Sequence, residues 1–206
     1  MKSTKDENTE EQILDAAKNV FQSKGMDGAR MQEIADKAGI NKAMLHYFFR
    51  SKEKLFEAVF LNAFGKLAPQ VNHIFNSEDS VFIKIEKFTQ SYISFVLEYP
   101  FLPQFIVQEM NNNSEFVSKF LNVENRPNPI KLITQIEKEI ELGIIKPINP
   151  KQLLLDIFSM TIFSFAAQSL VKGMLQLTEE EFKSLMIERK KHISNHIIMA
   201  IKNDEV

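Results

Sequence analysis

The 206-residue chain has no cysteine, which excludes disulfides, thiolate metal sites and cysteine nucleophiles. It has six glycines and seven prolines, and most fall between periodic segments rather than within them. There is no alternating apolar–polar run of useful length, no internal repeat and no low-complexity tract. A glycine-rich phosphate loop and a serine-centred nucleophile motif are missing too, so no catalytic constellation can be nominated and the chain reads as a non-enzyme. His192 and His196 stand four apart, a spacing that can ligate a metal, but no carboxylate motif accompanies them. We expect neither metal nor cofactor.

Long apolar runs are nearly absent. The opening "MKSTKDENTEEQ" is polar and has no apolar signal core, which predicts a cytoplasmic protein. The nearest approach to a membrane span is "LLLDIFSMTIFSFAAQSLV", residues 153–171, which barely reaches spanning length and carries Asp156 and Gln168. A helix covered on most sides inside a bundle or dimer accounts for it better, and no membrane partner is expected.

Net charge is small in total, and positive charge is concentrated in place. The formal net charge of −2 argues against indiscriminate coating of nucleic acid. Residues 37–54, however, hold Lys37, Lys42, Arg50, Lys52 and Lys54 against Glu53 alone, a local electrostatic footprint.

Nearly everything else reads as helix. Thr9 and Gln12 have capping-box spacing, which predicts a first helix from Thr9 that ends at Gly25 and buries Ile13, Ala16, Ala17, Val20 and Phe21. Short helices are expected over 31–37 and 42–48, the second capped by Asn41. Ser51 can cap a fourth that runs from about residue 52 into the seventies. Further helices are expected over 79–98, from 103, over 129–142, 151–172 and 179–202, the last starting after Thr178. The fold class is therefore all-α: a three-helix domain over 1–52, then a larger helical domain over 53–206.

Two short helices joined by Ala38-Gly39-Ile40-Asn41 have the spacing of a helix-turn-helix, whose second helix enters the DNA major groove. With Leu45 facing inward beside Ile34 and Ile40, helical geometry turns Lys42, Ala43, Met44, His46 and Tyr47 outward and leaves Phe48 and Phe49 on the buried side.

"MQEIADKAGINKAMLHYFFRSKEKLF", residues 31–56, resembles the DNA-binding domain of the TetR family of bacterial transcriptional regulators, and the likeness extends over about 9–60. The resemblance implies that Lys42 contacts phosphate or a guanine edge and that Ala43 lets backbone approach the duplex. It gives Met44, His46 and Tyr47 contacts in the groove, and Ser51 and Lys52 a phosphate clamp at the start of the fourth helix. It places Asn41 at the entry of the reading helix, Arg30 where a phosphate-binding Thr is common, and Gln32 where a base-reading side chain can sit. Ala29-Arg30 replaces the usual Thr pair, His46 stands where Tyr is usual, and Phe48 stands where a phosphate-contacting His or Tyr is frequent.

Beyond residue 60 the resemblance is architectural. It implies a homodimer through the helices near 151–172 and 179–202, a double-stranded DNA operator with two-fold symmetry, and a small-molecule effector. The middle of the chain is rich in Phe and Met, which suits an apolar or amphipathic effector. Phe105, Gln108, Phe120, Phe158 and Ile162 are the expected lining, and a repressor is the expected mode.

Overall fold

The structure is a computed structural model that describes residues 4–104, 106–107 and 127–203. Among these residues every regular element is a helix, and one isolated β-bridge joins Ile145 to Lys202. The chain divides into two compact units: Met1–Gly65 with Tyr99–Leu102, and Lys66–Glu98 with Pro103–Val206.

The first unit begins with α1 (Thr4–Gly28), which starts five residues before the expected Thr9. Thr9 lies inside the helix, so it cannot act as the cap its spacing suggested; Asp6 and Glu7 supply the acidic first turn instead. Gly25 breaks the helical path with φ of 67°, a left-handed value that favours glycine. Next come α2 (Met31–Lys37), α3 (Lys42–Phe48) and α4 (Lys52–Asn76), all at the expected places. Ile13, Ala17, Phe21, Ile34, Ala35, Leu45, Leu55, Phe56 and Phe60 are fully buried as this unit's core. The first turns of α4 thus belong to it, and its core reaches past residue 52 because Leu55, Phe56, Val59 and Phe60 recur on one face.

Tyr99–Leu102 also belongs to this unit. Phe101 packs edge-on to Phe56, with ring centroids 5.5 Å apart, and lies 6.2 Å from Phe21. The Lys18 ammonium stands 4.0 Å from the centre of the Tyr99 ring. "YPFLP" looks like a simple chain break in the sequence; it is in fact a wedge of the N-terminal core.

The second unit contains the later turns of α4, then α5 (Val81–Glu98), α6 (Ile130–Glu141), α7 (Pro150–Ala166), α8 (Gln168–Leu175) and α9 (Glu179–Ile201). Pro69 sits within α4, where its missing N–H leaves the Gly65 carbonyl without its helical donor. The two units divide at that same glycine. The core of the second unit joins Val71, Ile74 and Phe75 of α4 to Ile85, Phe88, Ile93 and Val96 of α5, Leu132 and Ile136 of α6, Leu153 and Ile157 of α7, and Met186, Ile193 and Ile197 of α9.

The expected single helix over 151–172 is two helices, α7 and α8, bent by 77° at Ala167. No glycine or proline marks that bend, so composition could not reveal it. Among the described residues no single helix is long and apolar enough to cross a membrane, although the bent pair passes by length and composition. The helix α9 begins as expected after Thr178, with a complete capping box: the Thr178 hydroxyl accepts the Glu181 amide and the Glu181 carboxylate accepts the Thr178 amide.

A buried polar cluster fastens α4, α5 and α6. Lys84 is only 2% exposed; its ammonium donates to the Phe75 carbonyl and to Gln135 Oε1. Gln135 Nε2 in turn donates to the Asp79 carbonyl and to Glu139 Oε1, which also accepts the Val81 amide. Burial pulls the Lys84 ammonium below its ordinary pKa, against the opposing pull of Glu78, Asp79 and Glu139.

Candidate nucleic-acid interface

The turn between α2 and α3 is built from backbone hydrogen bonds. The Ile40 amide donates to the Ala35 carbonyl at 3.0 Å and the Gly39 amide to Asp36 at 3.1 Å, the pattern of a helix closed by a left-handed residue. Gly39 supplies that residue with φ of +69°. Ile34 and Leu45 are fully buried across the turn and Ile40 is half-buried, so the miniature core has the predicted members.

This packing aims α3. Leu45 points in, while Lys42, Ala43, Met44, His46 and Tyr47 are all exposed on one broad face. Tyr47 is 82% exposed and meets Phe48 edge-on at 5.6 Å, which props the phenol outward. Phe49 is buried and Phe48 half-buried. An exposed tyrosine and methionine on a seven-residue helix gain nothing by burial within the chain, so they are available to a partner.

The helix is fixed at its start by Asn41, whose Oδ1 accepts the Met44 amide at 2.8 Å. At the start of α4, Ser51 Oγ accepts the Lys54 amide at 3.2 Å. The Ser51 hydroxyl is also the largest cause holding the Glu53 carboxyl below its ordinary pKa. Lys52 is half-buried and its ammonium leans toward the Asp27 and Ala29 carbonyls, both at 3.4 Å, long contacts that an anion can displace.

Arg30 occupies the N-cap of α2 in extended conformation and its side chain caps nothing, which leaves the exposed guanidinium free to reach outward. Gln32 is exposed as well, but its Nε2 donates to Asp36 Oδ1 at 2.7 Å, so reading a base would require exchanging that bond. Arg30 and Gln32 line an open polar depression with Lys24, Gly28, Glu33 and Asp36. The Lys24–Glu33 ion pair at its edge, 2.7 Å, links α1 to α2, and nothing in the sequence spacing signalled it.

Of the expected effector residues, Phe105, Gln108 and Phe120 lie outside the described residues. Phe158 packs edge-on to Phe88 with centroids 5.5 Å apart, and Ile162 is half-buried in the same helix. Tyr92, absent from the sequence reading, stacks on Phe88 at 5.9 Å, and burial pushes its hydroxyl pKa well above the ordinary value. Among the described residues no group of three or more His, Asp or Glu is placed to hold a metal.

Two short helices closed by a left-handed glycine, with the second presenting lysine, methionine, histidine and tyrosine, define a helix-turn-helix DNA-reading head. Residues 13–59 match the family described as "Bacterial regulatory proteins, tetR family". The chain is 26% identical over 184 residues to the HTH-type transcriptional regulator RutR of Escherichia coli K12, covering 88% of this chain and 86% of that one. It is 45% identical over 51 residues to the HTH-type transcriptional repressor NicS of Pseudomonas putida, a match to 25% of this chain and 24% of that one. A crystal structure of a TetR-family regulator from Mesorhizobium loti superimposes with a TM-score of 0.65 at 18% identity, covering 97% of this chain and all of the other; at that identity it supports the fold. Residues 13–59 carry the helix-turn-helix domain of the tetR family of bacterial regulatory proteins, and over most of its length the chain is similar to a helix-turn-helix transcriptional regulator.

Proposed function

We propose that the protein is a ligand-responsive repressor that binds a palindromic operator as a homodimer and is released by a small apolar or amphipathic effector. The observation that carries the DNA half of this reading is the face of α3: Lys42, Met44, His46 and Tyr47 exposed together around a buried Leu45. A single reading head touches too few phosphates to bind tightly at cellular salt, since each phosphate contact adds to the log-linear salt dependence. Two heads related by a two-fold axis, with reading helices roughly 34 Å apart, would meet successive major grooves on one face of the duplex.

Dimerisation through α7 and α9 is supported by what those helices leave uncovered. Leu155 and Phe163 of α7 and Ile187 and Met199 of α9 are all exposed in one chain. The effector reading is supported by an aromatic cluster centred on Phe88, whose ring centroid lies 5.5–5.9 Å from those of Phe75, Tyr92 and Phe158. An amphipathic molecule would meet apolar rings and one phenol there.

The mechanism is a shift of population. The ligand-free dimer holds its heads at the operator's spacing; ligand binding in the second unit shifts α4, which runs from Lys52 to Asn76, and changes that spacing. The ligand must bind the DNA-incompetent state more tightly, so calorimetry should show weaker effector binding to the operator complex than to the free protein. Equal affinities would overturn the mechanism. Lys42→Ala with Tyr47→Ala tests the reading head: operator affinity should fall steeply while the oligomeric state survives.

A further inference from the structure

Two cations of the second unit are drawn into its interior, Lys84 fully and Arg189 by half, and their surroundings differ. Lys84 sits among acids: Glu78, Asp79 and Glu139 all favour its charged form. Arg189 has no such company. It fills the gap in the buried stripe of α9 between Met186 and Ile193, and its Nη2 donates to the neutral Met160 carbonyl of α7 at 2.9 Å. Its Nε is buried without a hydrogen-bond partner. Burial is the one cause that moves the Arg189 pKa, downward, and no acid among the described residues opposes it.

Three helices meet at this guanidinium. The Thr89 hydroxyl of α5 donates to the Lys190 carbonyl at 3.3 Å, so α5 lies against the same turn of α9 that carries Arg189. The residue before Thr89 is Phe88, which packs edge-on to Phe158 of α7 at 5.5 Å. Phe158 in turn stands two residues before the Met160 carbonyl that Arg189 holds. The uncompensated charge thus faces inward, at the edge of the aromatic cluster, where Phe158 and Met160 are themselves half-buried.

A cation turned toward apolar neighbours and one neutral carbonyl is costly until an anion reaches it. A carboxylate matches the planar guanidinium fork with two parallel hydrogen bonds. A small hydrated anion would leave the rings beside it uncovered, whereas a carboxylate on an apolar body covers both. We propose that Arg189 holds the carboxylate of the effector, an anionic amphipath whose apolar part lies against Phe88 and Phe158. This rests on the effector reading above and narrows its chemical class.

Isothermal titration of the full chain with octanoate, 1-octanol and inorganic phosphate tests it, using the wild type, Arg189→Met and Arg189→Lys. The wild type should bind octanoate about 10- to 100-fold more tightly than 1-octanol, the range of a charged hydrogen-bonded contact. Arg189→Met continues the apolar stripe, and thermal unfolding verifies that it is folded; it should bring octanoate down to the level of the alcohol. Arg189→Lys, which keeps the charge and loses the fork, should fall between. Equal affinity of the wild type for octanoate and 1-octanol, or a preference that survives Arg189→Met, would overturn the assignment and leave an apolar effector standing. Phosphate bound as tightly as octanoate would overturn it too, giving the guanidinium to a small anion, and so would a wild type that binds no octanoate at millimolar concentration. Octanoate that binds through Arg189 yet leaves operator affinity unchanged would support the site and overturn the release mechanism instead.

Discussion

Asn41 Oδ1 accepts the Met44 amide at 2.8 Å, so the residue that starts α3 also fixes the backbone of one residue on its outward face. The helix has only seven residues and is too short to persist by propensity alone. Asn41→Ala should therefore cost about 1 kcal/mol in the stability of the N-terminal unit and weaken operator binding, while Asn41→Ser retains most of both. Denaturant unfolding followed by far-ultraviolet dichroism, paired with a binding titration, checks this.

Lys42 and Tyr47 share a face but should fail differently. On the proposed reading Lys42→Ala removes one phosphate or guanine contact per subunit, and the slope of log affinity against log salt should fall by about one per subunit if phosphate is the partner. Tyr47→Ala should leave stability within about 0.5 kcal/mol of the parent, because a side chain 82% exposed contributes little to the fold. Its loss should appear in DNA affinity. A large loss of stability would return Tyr47 to the core.

Lys84 is held by the Phe75 carbonyl and Gln135 Oε1 in the core of the second unit. Lys84→Met keeps the length of the side chain but strands both acceptors, and should destabilise that unit by about 2–3 kcal/mol. The native ammonium has a depressed pKa, so the unfolded chain binds the proton more tightly. The Lys84 contribution to stability should therefore rise with pH from its depressed native value toward 10.5, and comparing parent and variant at alkaline pH reads that slope.

Asp79 has the opposite behaviour at the acid end. Its carboxyl is held below the ordinary value of 3.8, first by the Lys87 ammonium at 2.6 Å and then by the Ser77 hydroxyl at 2.9 Å. The stabilisation is present above the unfolded value and is lost as pH falls through the lowered native one. Lys87→Met should move the Asp79 titration midpoint upward, as followed by carboxyl carbon resonances.

The parts of this molecule that were legible in the sequence are those set by local spacing. Asn41, Gly39 and Thr178 each act on neighbours within five residues, and their caps and turn stand where the sequence placed them. The outward face of α3 followed from Leu45 alone, since one buried residue on a short helix fixes the direction of the rest. Thr9 misled because capping spacing says nothing of whether the preceding residues are already helical. The bend at Ala167 and the wedge of Tyr99–Leu102 depend on contacts between distant segments, as in Phe101 against Phe21 and Phe56, and leave no local signature. Lys84 and Arg189 are similar: a charged residue in an apolar stripe is visible in sequence, but whether it is paired is decided by another helix.

The claim on which the rest depends is that α3 reads duplex DNA in symmetric pairs. Selection of bound fragments from a random pool of duplexes, at moderate salt, tests it most directly. The account predicts enrichment of an inverted repeat whose half-site centres are about 10 base pairs apart or a multiple of that, lost when Lys42 and Tyr47 are replaced by alanine. Enrichment of a site without two-fold symmetry, or a wild type that enriches nothing its Lys42→Ala, Tyr47→Ala variant does not, would contradict it.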